Sequence, residues 1–268
     1  MLKSTAISTS NTSRMAKLSI ITITYQAEKF LERTIQSILE QGHRPEIEYV
    51  IVDGASTDGT LALIDTYRKD IDHVISEKDR GIYDAMNKGL QVVNGEYVLF
   101  LNAGDTFAAK NTLEHLLKSL DSNPDILVGD AMFVDMHGQE IGLRSVVTPH
   151  RIPAKLTWKS FKKGMVICHQ SFIVKRDLAP RFNLEYQLSS DIDWEIKCLK
   201  LSQKTMQLAE PICQYLMGGA SVQNLKKSWK ERFHVMQSHF GLLQTILAHV
   251  WIIFRGIRFA LKKGGKYW

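Results

Sequence analysis

The amino-acid sequence predicts an α/β fold, in which helices cover a mainly parallel central sheet. Two observations lead to this prediction. Apolar runs without polar alternation recur between residues 18 and 129, and such runs are typical of strands that are buried on both faces. Segments with helical spacing of apolar side chains separate these runs, as the crossovers between parallel strands require.

The first half of the chain supplies most of this sheet. A strand over 18–23 leads into a helix over about 28–41, which Gly42 ends. Thr57 or Asp58 is expected to cap the second helix, which runs to about Lys69. The remaining strands are predicted at 48–52, 73–76, 97–101 and 126–129, and the remaining helices near 82–93 and 111–120.

The second half has a less regular pattern. Residues 131–143 are predicted to form a hairpin around His137-Gly138, followed by a strand at 171–175 and a helix at about 190–202. No linker rich in Pro, Gly or Ser separates the halves, so we expect one domain rather than two. The predicted segments are a disordered leader over 1–16, a domain over 17–222 with halves 17–130 and 131–222, and a helical tail over 223–268.

The positive charge of the protein is concentrated in this tail. The whole chain has a net charge of +6, but the residues from Leu225 onward carry nine Lys and Arg against one acid, Glu231. The rest of the chain is therefore slightly acidic, which argues against a nucleic-acid-binding body and favours an anionic surface as the partner of the tail. The three cysteines are far apart in the sequence and predict a reduced, cytoplasmic setting.

Polar side chains follow the predicted strands of the first half. In an open α/β sheet such loops meet at the carboxyl edge of the strands, where ligands bind. Together, the side chains of these loops could contact the base, the ribose and the phosphates of a nucleotide. The loops are Thr24-Tyr25-Gln26, Asp53-Gly54-Ala55-Ser56, Glu77-Lys78-Asp79-Arg80 and Asn102-Ala103-Gly104-Asp105.

The sequence contains neither glycine-rich phosphate motif of the common nucleotide-binding folds. A divalent cation held by Asp105 would neutralise a diphosphate instead, and oxygen ligands suit Mg²⁺ or Mn²⁺. Gly104 would let the diphosphate approach the main chain closely.

Four segments in this order and spacing resemble the family 2 glycosyltransferases: SIITITYQAEKFLERTIQSIL, EYVIVDGASTDGT, SEKDRGIYDAMNKG and GEYVLFLNAGD. The segments GDAMFVD, ICHQSFIV and SSDIDWEIKCLK extend the resemblance to about residue 220. It is closest to bacterial exopolysaccharide and O-antigen enzymes of the colanic-acid type. The resemblance implies a Rossmann-like GT-A fold and inverting transfer of one sugar from a nucleotide sugar, with a UDP-sugar expected, to a hydroxyl of a glycan or lipid-linked oligosaccharide.

The resemblance also implies roles for residues that bind the donor. Asp53 matches the carboxylate that binds the uracil ring, and Thr24 and Tyr25 match the loop around the nucleoside. Asp79 matches a contact to the nucleoside or its sugar. Asn87 and Lys88 lie on a helix that lines the donor site.

The same comparison implies a cation site with few acids. Asp105 matches the last metal-binding acid of the family's D-x-D region. Asn102 and Gly104 stand where many relatives have acids, which leaves one carboxylate for Mn²⁺ or Mg²⁺, with Asn102 as the expected additional ligand.

The catalytic base is expected in the segment SSDIDWEIK. Asp191 matches the base by resemblance, and Asp193 is the second candidate. Both lie at the start of a helix and point in different directions, so only one can serve a given hydroxyl. Asp191 could equally be a helix cap. His169 and Gln170 match residues near the acceptor, although a lone His beside an apolar strand is more often structural.

Three alternatives have different requirements. A nucleotidyltransferase needs a glycine-rich loop after the first strand, and a processive synthase needs a Q-x-x-R-W motif and membrane spans; the sequence predicts none of these. A catalytically inactive nucleotide-sugar or membrane-binding module remains the alternative to an enzyme. The joint presence of Asp53, Asp105 and Asp191 favours the enzyme.

The tail from Ile246 is predicted to lie on a membrane without crossing it. Its uninterrupted apolar run, Val250 to Phe254, is too short to span a bilayer. As a helix it forms a basic stripe next to an apolar face, which suits the headgroup layer at the inner face of the cell membrane. Packing of this helix on its own domain or on a second subunit is the alternative. The stripe comprises Arg255, Arg258 and Lys262, and the apolar face Leu247, Trp251, Phe254, Ile257 and Leu261.

Overall fold

The computed structural model describes residues 16–218 and 224–263, and within them eleven strands form two sheets. The strands are β1 (Leu18–Thr24), β2 (Ile47–Asp53), β3 (His73–Ser76), β4 (Tyr97–Phe100), β5 (Thr106–Phe107), β6 (Ile126–Val128), β7 (Ala131–Val134), β8 (Glu140–Leu143), β9 (Phe172–Lys175), β10 (Thr205–Gln207) and β11 (Cys213–Leu216). The predicted leader lies outside the described residues, apart from Ala16, and so does the predicted boundary between domain and tail.

Seven strands make the central sheet, in the order β10-β6-β9-β4-β1-β2-β3. All of them run parallel except β9, which is antiparallel to its neighbours β4 and β6. Every residue of β1, β2 and β4 is buried, which is why these strands lack polar alternation. The predicted α/β fold with a mainly parallel sheet is confirmed.

Eight helices accompany the sheets in the described residues. Side chains of α1, α2 and α4 pack in the hydrophobic cluster on one side of the central sheet, and those of α3, α6 and α7 pack in the cluster on the other side. The helices are α1 (Leu31–Leu39), α2 (Thr60–Thr66), α3 (Ile82–Val92), α4 (Thr112–Leu120), α5 (Arg144–Val147), α6 (Ser190–Leu201), α7 (Leu225–Phe240) and α8 (Leu242–Lys262).

Two predicted helices are shorter than expected. Helix α1 begins at Leu31 instead of residue 28, because the N–H of Phe30 is already hydrogen-bonded to Ala27 in a tight turn. Helix α2 ends at Thr66 and is followed by a short 3₁₀ turn. Asp58 does act at its start, where a carboxylate oxygen accepts the N–H of Thr60 at 3.0 Å.

The second sheet, in the order β5-β11-β7-β8, was only partly predicted. Strands β7 and β8 form the expected antiparallel hairpin, with Gly138 at φ +79° in its turn. Strand β11 was not expected. It pairs with β5 in antiparallel and with β7 in parallel orientation, and so places residues 213–216 beside the end of the donor-half loop at 102–105.

The C-terminal helices pack on the second half of the domain. Helix α7 contacts α6, and α8 contacts the 3₁₀ segment Trp158–Lys163. The ring of Trp158 stacks on Phe240 at 5.6 Å between centroids. Gly241, at φ +79°, separates the two helices.

Candidate active site

The polar loops of the first half converge at the carboxyl edge of the central sheet, as predicted. Thr24 at the end of β1 lies opposite Asp53 at the end of β2, and Asp53 lies opposite Ser76 at the end of β3. The N–H of Ala103 donates to Ile23, which continues the β1–β4 pairing into the fourth loop. The hydroxyl of Thr24 is buried and has no hydrogen-bond partner among the described residues, so it is free to contact a ligand.

The Asp53 carboxylate is fully buried and receives three hydrogen bonds. Ser56 donates its N–H at 2.9 Å and its hydroxyl at 2.5 Å, and the Ser76 hydroxyl donates at 2.8 Å. A carboxylate offers about four acceptor positions, so the neighbouring serines orient Asp53 without using its full capacity.

Tyr25, Gly54 and Asp79 lie together at this edge. A Cβ atom at Gly54 would lie 2.5 Å from Asp79 Oδ2 and 3.2 Å from Tyr25 Cδ2, so a larger residue here would displace the Asp79 carboxylate. Asp79 is oriented by the N–H of Gly81, which donates to its other oxygen at 2.9 Å. The Tyr25 ring is 64% exposed, which leaves a face available for a nucleoside.

Asn87 and Lys88 of α3 hold neighbouring loops in place. The Asn87 side chain donates to the carbonyl of Phe182 at 3.0 Å and accepts its N–H at 2.8 Å. Lys88 donates to the carbonyl of Lys78 at 2.7 Å and pairs with Glu77 at 3.0 Å. In this arrangement both residues support the walls of the site, and neither points freely into it.

Asp105 is buried at the mouth of the site, where β5 meets β11. Its Oδ1 accepts the N–H of Leu216 at 2.9 Å. Burial raises the pKa of the Asp105 carboxyl to about 7, although the Leu216 N–H and the side chain of Gln170 act to lower it. This carboxylate therefore changes charge near neutral pH.

Oxygen atoms around Asp105 fit a divalent cation only sparsely. The side-chain oxygen of Asn102 is buried without a hydrogen-bond partner among the described residues, which makes it the natural second ligand. The described residues contain no cluster of three or more His, Cys, Asp or Glu side chains suited to a metal. Asp105 and Asn102 would hold such an ion together with donor phosphate oxygens.

Two features of this loop differ from the prediction. The space beside Gly104 is filled by Leu216, whose Cδ2 would lie 2.8 Å from an added Cβ, so glycine allows the close packing of β11. Its φ of +100° also favours glycine at this position. Thr34 was missed. Its buried hydroxyl donates to the carbonyl of Asp105 at 2.7 Å and accepts the N–H of Gly104 at 2.9 Å. The only sequence signal was a threonine within the apolar stripe of α1.

Asp191 lies in the first turn of α6 and is partly exposed. Its Oδ1 accepts a hydrogen bond of 3.0 Å from the hydroxyl of Tyr83, a residue of α3 that sequence analysis did not single out. Burial raises the pKa of the Tyr215 hydroxyl, and the negative charges of Asp105 and Asp191 raise it further. The two carboxylates thus act on the same tyrosine from the two halves of the molecule.

Asp193, the second candidate base, is engaged in ion pairs. Its carboxylate lies 2.6 Å from Nζ of Lys197 and 2.8 Å from Nε2 of His239 on α7, with 5% of its side chain exposed. Burial acts to raise the pKa of Asp193, but the hydrogen bonds from His239 and Lys197 hold it below its usual range. This residue joins α6 to the C-terminal helices.

His169 is a core residue whose ring packs between aromatic side chains. It is 3% exposed, and its Nδ1 lies 3.7 Å from Oε1 of Glu195, beyond hydrogen-bond distance. Within the described chain, the ring nitrogens of His169 and the carboxylate oxygens of Glu195 have no hydrogen-bond partner. Burial raises the pKa of the Glu195 carboxyl to about 7, and His169 opposes the rise. The contacting rings are Phe100, Phe182 and Trp194.

Gln170 is also buried, but it faces the donor half. The Cys168 thiol donates to its side-chain oxygen at 3.2 Å, and its side chain acts on Asp105. Of the two residues expected near the acceptor, one therefore supports the candidate cation site and the other supports the core beneath it.

Helix α8 differs from its predicted arrangement. Arg255 does not join a solvent-facing stripe, since it donates to the carbonyl of Lys163 at 2.8 Å and to Nδ1 of His150 at 3.1 Å. Burial lowers the pKa of His150 to about 2, and Arg144 and Arg255 reinforce this, so the ring is neutral and can accept.

The apolar face of α8 is turned away from the domain. The tail was predicted to be too short to cross a membrane. Helix α8 is nevertheless long and apolar enough to do so by length and composition alone, with 21 residues and a mean hydropathy of 1.3 over its most apolar window. Only 6% of that window is buried. The exposed side chains include Leu243, Leu247, Val250, Trp251, Phe254, Ile257 and Leu261.

Comparison with known proteins adds a family assignment to this geometry. The family model named Glycosyl transferase family 2 matches residues 19–180. The putative teichuronic acid biosynthesis glycosyltransferase TuaG of Bacillus subtilis is 26% identical over 245 residues, which cover 85% of this chain and 93% of that protein.

Two solved structures share the fold. S. aureus TarS 1-349 in complex with UDP-GlcNAc superposes with a TM-score of 0.64 at 20% identity, over 82% of this chain and 66% of that chain. The mannosyltransferase PcManGT from Pyrobaculum calidifontis, in complex with GDP-Man and Mn²⁺, has a TM-score of 0.61 at 18% identity, over 95% of this chain and 77% of that chain. The predicted GT-A fold is confirmed.

Proposed function

The chain belongs to glycosyl transferase family 2, and we propose that it is an inverting enzyme that moves one sugar from a UDP-sugar to a hydroxyl of a glycan or lipid-linked oligosaccharide. The observation that carries this proposal is that two carboxylates from different halves, Asp105 and Asp191, both lie near enough to Tyr215 for their charges to raise the pKa of its hydroxyl. One can serve the departing diphosphate and the other the attacking hydroxyl.

Asp191 is the base in this proposal. It is the less buried of the two candidate acids, whereas Asp193 is paired with Lys197 and His239. A base must reach the proton of the acceptor hydroxyl within hydrogen-bond distance, which favours the partly exposed carboxylate. Transfer of that proton to Asp191 accompanies attack on the anomeric carbon from the face opposite the diphosphate, so the anomeric configuration inverts.

The donor binds along the carboxyl edge of β1, β2 and β4. Thr24 and Tyr25 contact the nucleoside, and Asp53 accepts a hydrogen bond from the uracil ring. Asp79 contacts the nucleoside or the transferred sugar. Asp105 and Asn102 would hold Mn²⁺ or Mg²⁺, whose positive charge would stabilise the departing diphosphate. The Mn²⁺ in the PcManGT complex and the UDP-GlcNAc in the TarS complex support these choices by analogy of fold.

The product proposed is a bacterial surface polysaccharide. The name of TuaG, which aligns over most of this chain, supports this class, and the exposed apolar face of α8 suits contact with a membrane surface. We therefore place the enzyme in the cytoplasm, peripheral to the inner face of the cell membrane.

A donor screen tests the enzymatic proposal. The full-length protein is incubated with UDP-, GDP- and dTDP-sugars, with Mn²⁺ and with EDTA, and release of each nucleoside diphosphate is measured with a membrane extract as acceptor. We expect turnover with a UDP-sugar that depends on the cation, and NMR of the product should show an inverted anomeric centre. Binding without turnover across the whole panel would favour the inactive module.

Helix α8 holds the enzyme in the plane of an anionic membrane in this proposal. One face of the helix is fixed to the domain through Thr245 and Arg255, while the opposite, apolar face is exposed over its whole length of about 31 Å. A spanning helix would have to give up those contacts with the domain. Arg258 and Lys262 are exposed and complement anionic headgroups.

Two charged substitutions test the membrane proposal without removing the helix. Trp251→Glu with Phe254→Glu should weaken cosedimentation with anionic liposomes by about 100-fold or more, since each side chain contributes roughly 1.5–3 kcal/mol on burial. Met136→Glu is the matched control, because Met136 is a similarly exposed apolar residue on the β7–β8 hairpin. Undiminished binding by the double variant would rule the helix out as an anchor, and dimerisation of the intact protein lost in the variant would assign this face to a second subunit.

A further inference from the structure

Tyr83 connects the two halves of the molecule at the candidate base. It lies in the first turn of α3, in the donor half, and only 6% of it is exposed. Its hydroxyl donates to Oδ1 of Asp191 at 3.0 Å across 108 residues of sequence. Its ring stacks on Phe182, with 5.6 Å between centroids and 21° between planes.

The surroundings fix this tyrosine in one position. Asn87, one helical turn further along α3, binds both main-chain groups of Phe182. The Phe182 ring stacks in turn on Trp194 of α6, at 4.8 Å between centroids. A continuous stack from α3 to α6 therefore holds the Tyr83 hydroxyl at a set distance from Asp191.

The chemical state of the pair follows from the same contacts. Burial raises the pKa of the Tyr83 hydroxyl, and the negative charge of Asp191 raises it further, so the phenol keeps its proton and acts as the donor. The phenol therefore donates a hydrogen bond to Oδ1 of Asp191 and fixes the orientation of that carboxylate. Oδ2 of Asp191 is left to face the acceptor hydroxyl.

We propose that Tyr83 is the positioning residue of the catalytic base: it holds the carboxylate of Asp191 in one orientation, and thereby ties the donor-binding helix α3 to the acceptor step. This inference rests on the proposed role of Asp191. It gives a function to a side chain whose hydroxyl would otherwise be an unexplained polar group within the aromatic core between α3 and α6.

Tyr83→Phe tests the proposal, because it removes the hydroxyl and keeps the ring stack. We expect kcat to fall about 10- to 100-fold, the usual consequence of losing a hydrogen bond to a charged group, while KM for the donor changes less than about twofold. Tyr97→Phe is the matched control: the Tyr97 hydroxyl also donates within the protein, to the carbonyl of Pro124 at 2.7 Å, at the other end of the sheet.

A second comparison separates the inference from the proposed function. In an Asp191→Asn background, Tyr83→Phe should cause no further loss, because the residue acts through the base. Equal losses in both backgrounds, or an unchanged kcat in the single variant while Asp191→Asn has lost most of its activity, would overturn the role of Tyr83 alone. Full activity of Asp191→Asn would remove the base assignment, and the role of Tyr83 with it.

Discussion

Two buried glutamates, one in each half of the molecule, have different surroundings. In the donor half, Glu48 is buried but accepts hydrogen bonds from the hydroxyl of Ser19 at 2.6 Å and the N–H of Asn94 at 2.7 Å. In the acceptor half, Glu195 is wholly buried, and within the described chain its closest basic atom, Nδ1 of His169, lies 3.7 Å away. The Glu48 carboxylate therefore has hydrogen-bond partners within the protein, whereas the Glu195 carboxylate has none in the described chain.

The pKa values follow this difference. Burial acts to raise the pKa of Glu48, but hydrogen bonds from Ser19, Asn94 and Gly95 bring it below its usual value. For Glu195 burial dominates, and the pKa rises to about 7. Glu48 thus keeps a fixed charge, while Glu195, like Asp105 at the junction of the halves, can change protonation near neutral pH.

The largest effect should come from the base. Asp191→Asn should lower transfer about 10²- to 10⁴-fold and leave donor binding nearly intact, because this side chain serves the acceptor. Asp193→Asn is the matched comparison, measured by initial rate and by calorimetric titration with UDP. A retained rate in the first variant together with a lost rate in the second would exchange the two assignments.

Next in size is the uracil contact of the donor half. Asp53→Ala should weaken binding of uridine and UDP alike by about 1.5–3 kcal/mol, or roughly 10- to 150-fold, because the uracil ring loses its hydrogen bond to a charged group. Asp58→Ala removes a carboxylate from the same loop and should bind normally. Asp53 also orients Ser56 and Ser76, so thermal unfolding must show that both variants remain folded.

A smaller effect is expected at Asp105, and it should depend on pH. With a pKa of about 7, the carboxylate is mostly protonated at pH 6 and mostly ionised at pH 8, so Mn²⁺-dependent UDP binding should strengthen over this range. Asp105→Asn should remove this pH dependence and weaken UDP binding about tenfold at pH 8, about 1.4 kcal/mol, with little change for uridine. Equal UDP affinity in Mn²⁺ and in EDTA would contradict the cation site.

The comparison of the two glutamates itself predicts opposite effects on stability. The folded pKa of Glu195 is raised, so its stabilising effect is present below about pH 4.5 and is lost as the pH rises through 7. Glu195→Gln should therefore gain stability relative to the wild type between pH 5 and 8, by the order of 1–3 kcal/mol. Glu48→Gln should be less stable than the wild type at pH 7, and this deficit should shrink in acid. Melting temperatures measured across the pH range test this prediction. If the melting temperatures of the two variants changed with pH in the same way, the contrast between the two glutamates would be contradicted.

The donor half could be predicted because its site consists of strand ends. Thr24, Asp53 and Asp105 follow buried apolar runs, and parallel strands necessarily bring such ends to one edge. Apolar runs and helix spacing are local properties, so the predicted elements of this half were placed correctly to within a few residues, whereas the two-residue strand β5 was not predicted.

The acceptor half depends on contacts between distant parts of the chain. The bond from Tyr83 to Asp191 spans 108 residues, and that from Leu216 to Asp105 spans 111. Neither follows from a local pattern, and the family match itself ends at residue 180, before the candidate base. Arg255 shows the same limit, since a helical wheel gives its angle on α8 but not which side of the helix meets the domain.

The break at Gly241 makes the last helix exchangeable between enzymes. Helix α7 is committed to the catalytic half, because Glu231 accepts the N–H of Leu188 at 2.7 Å and His239 contacts Asp193. Helix α8 begins only after the left-handed glycine and holds the domain mainly through Thr245 and Arg255. A chimaera joined at this residue could therefore carry a different C-terminal helix while keeping the contacts that α7 makes with the domain.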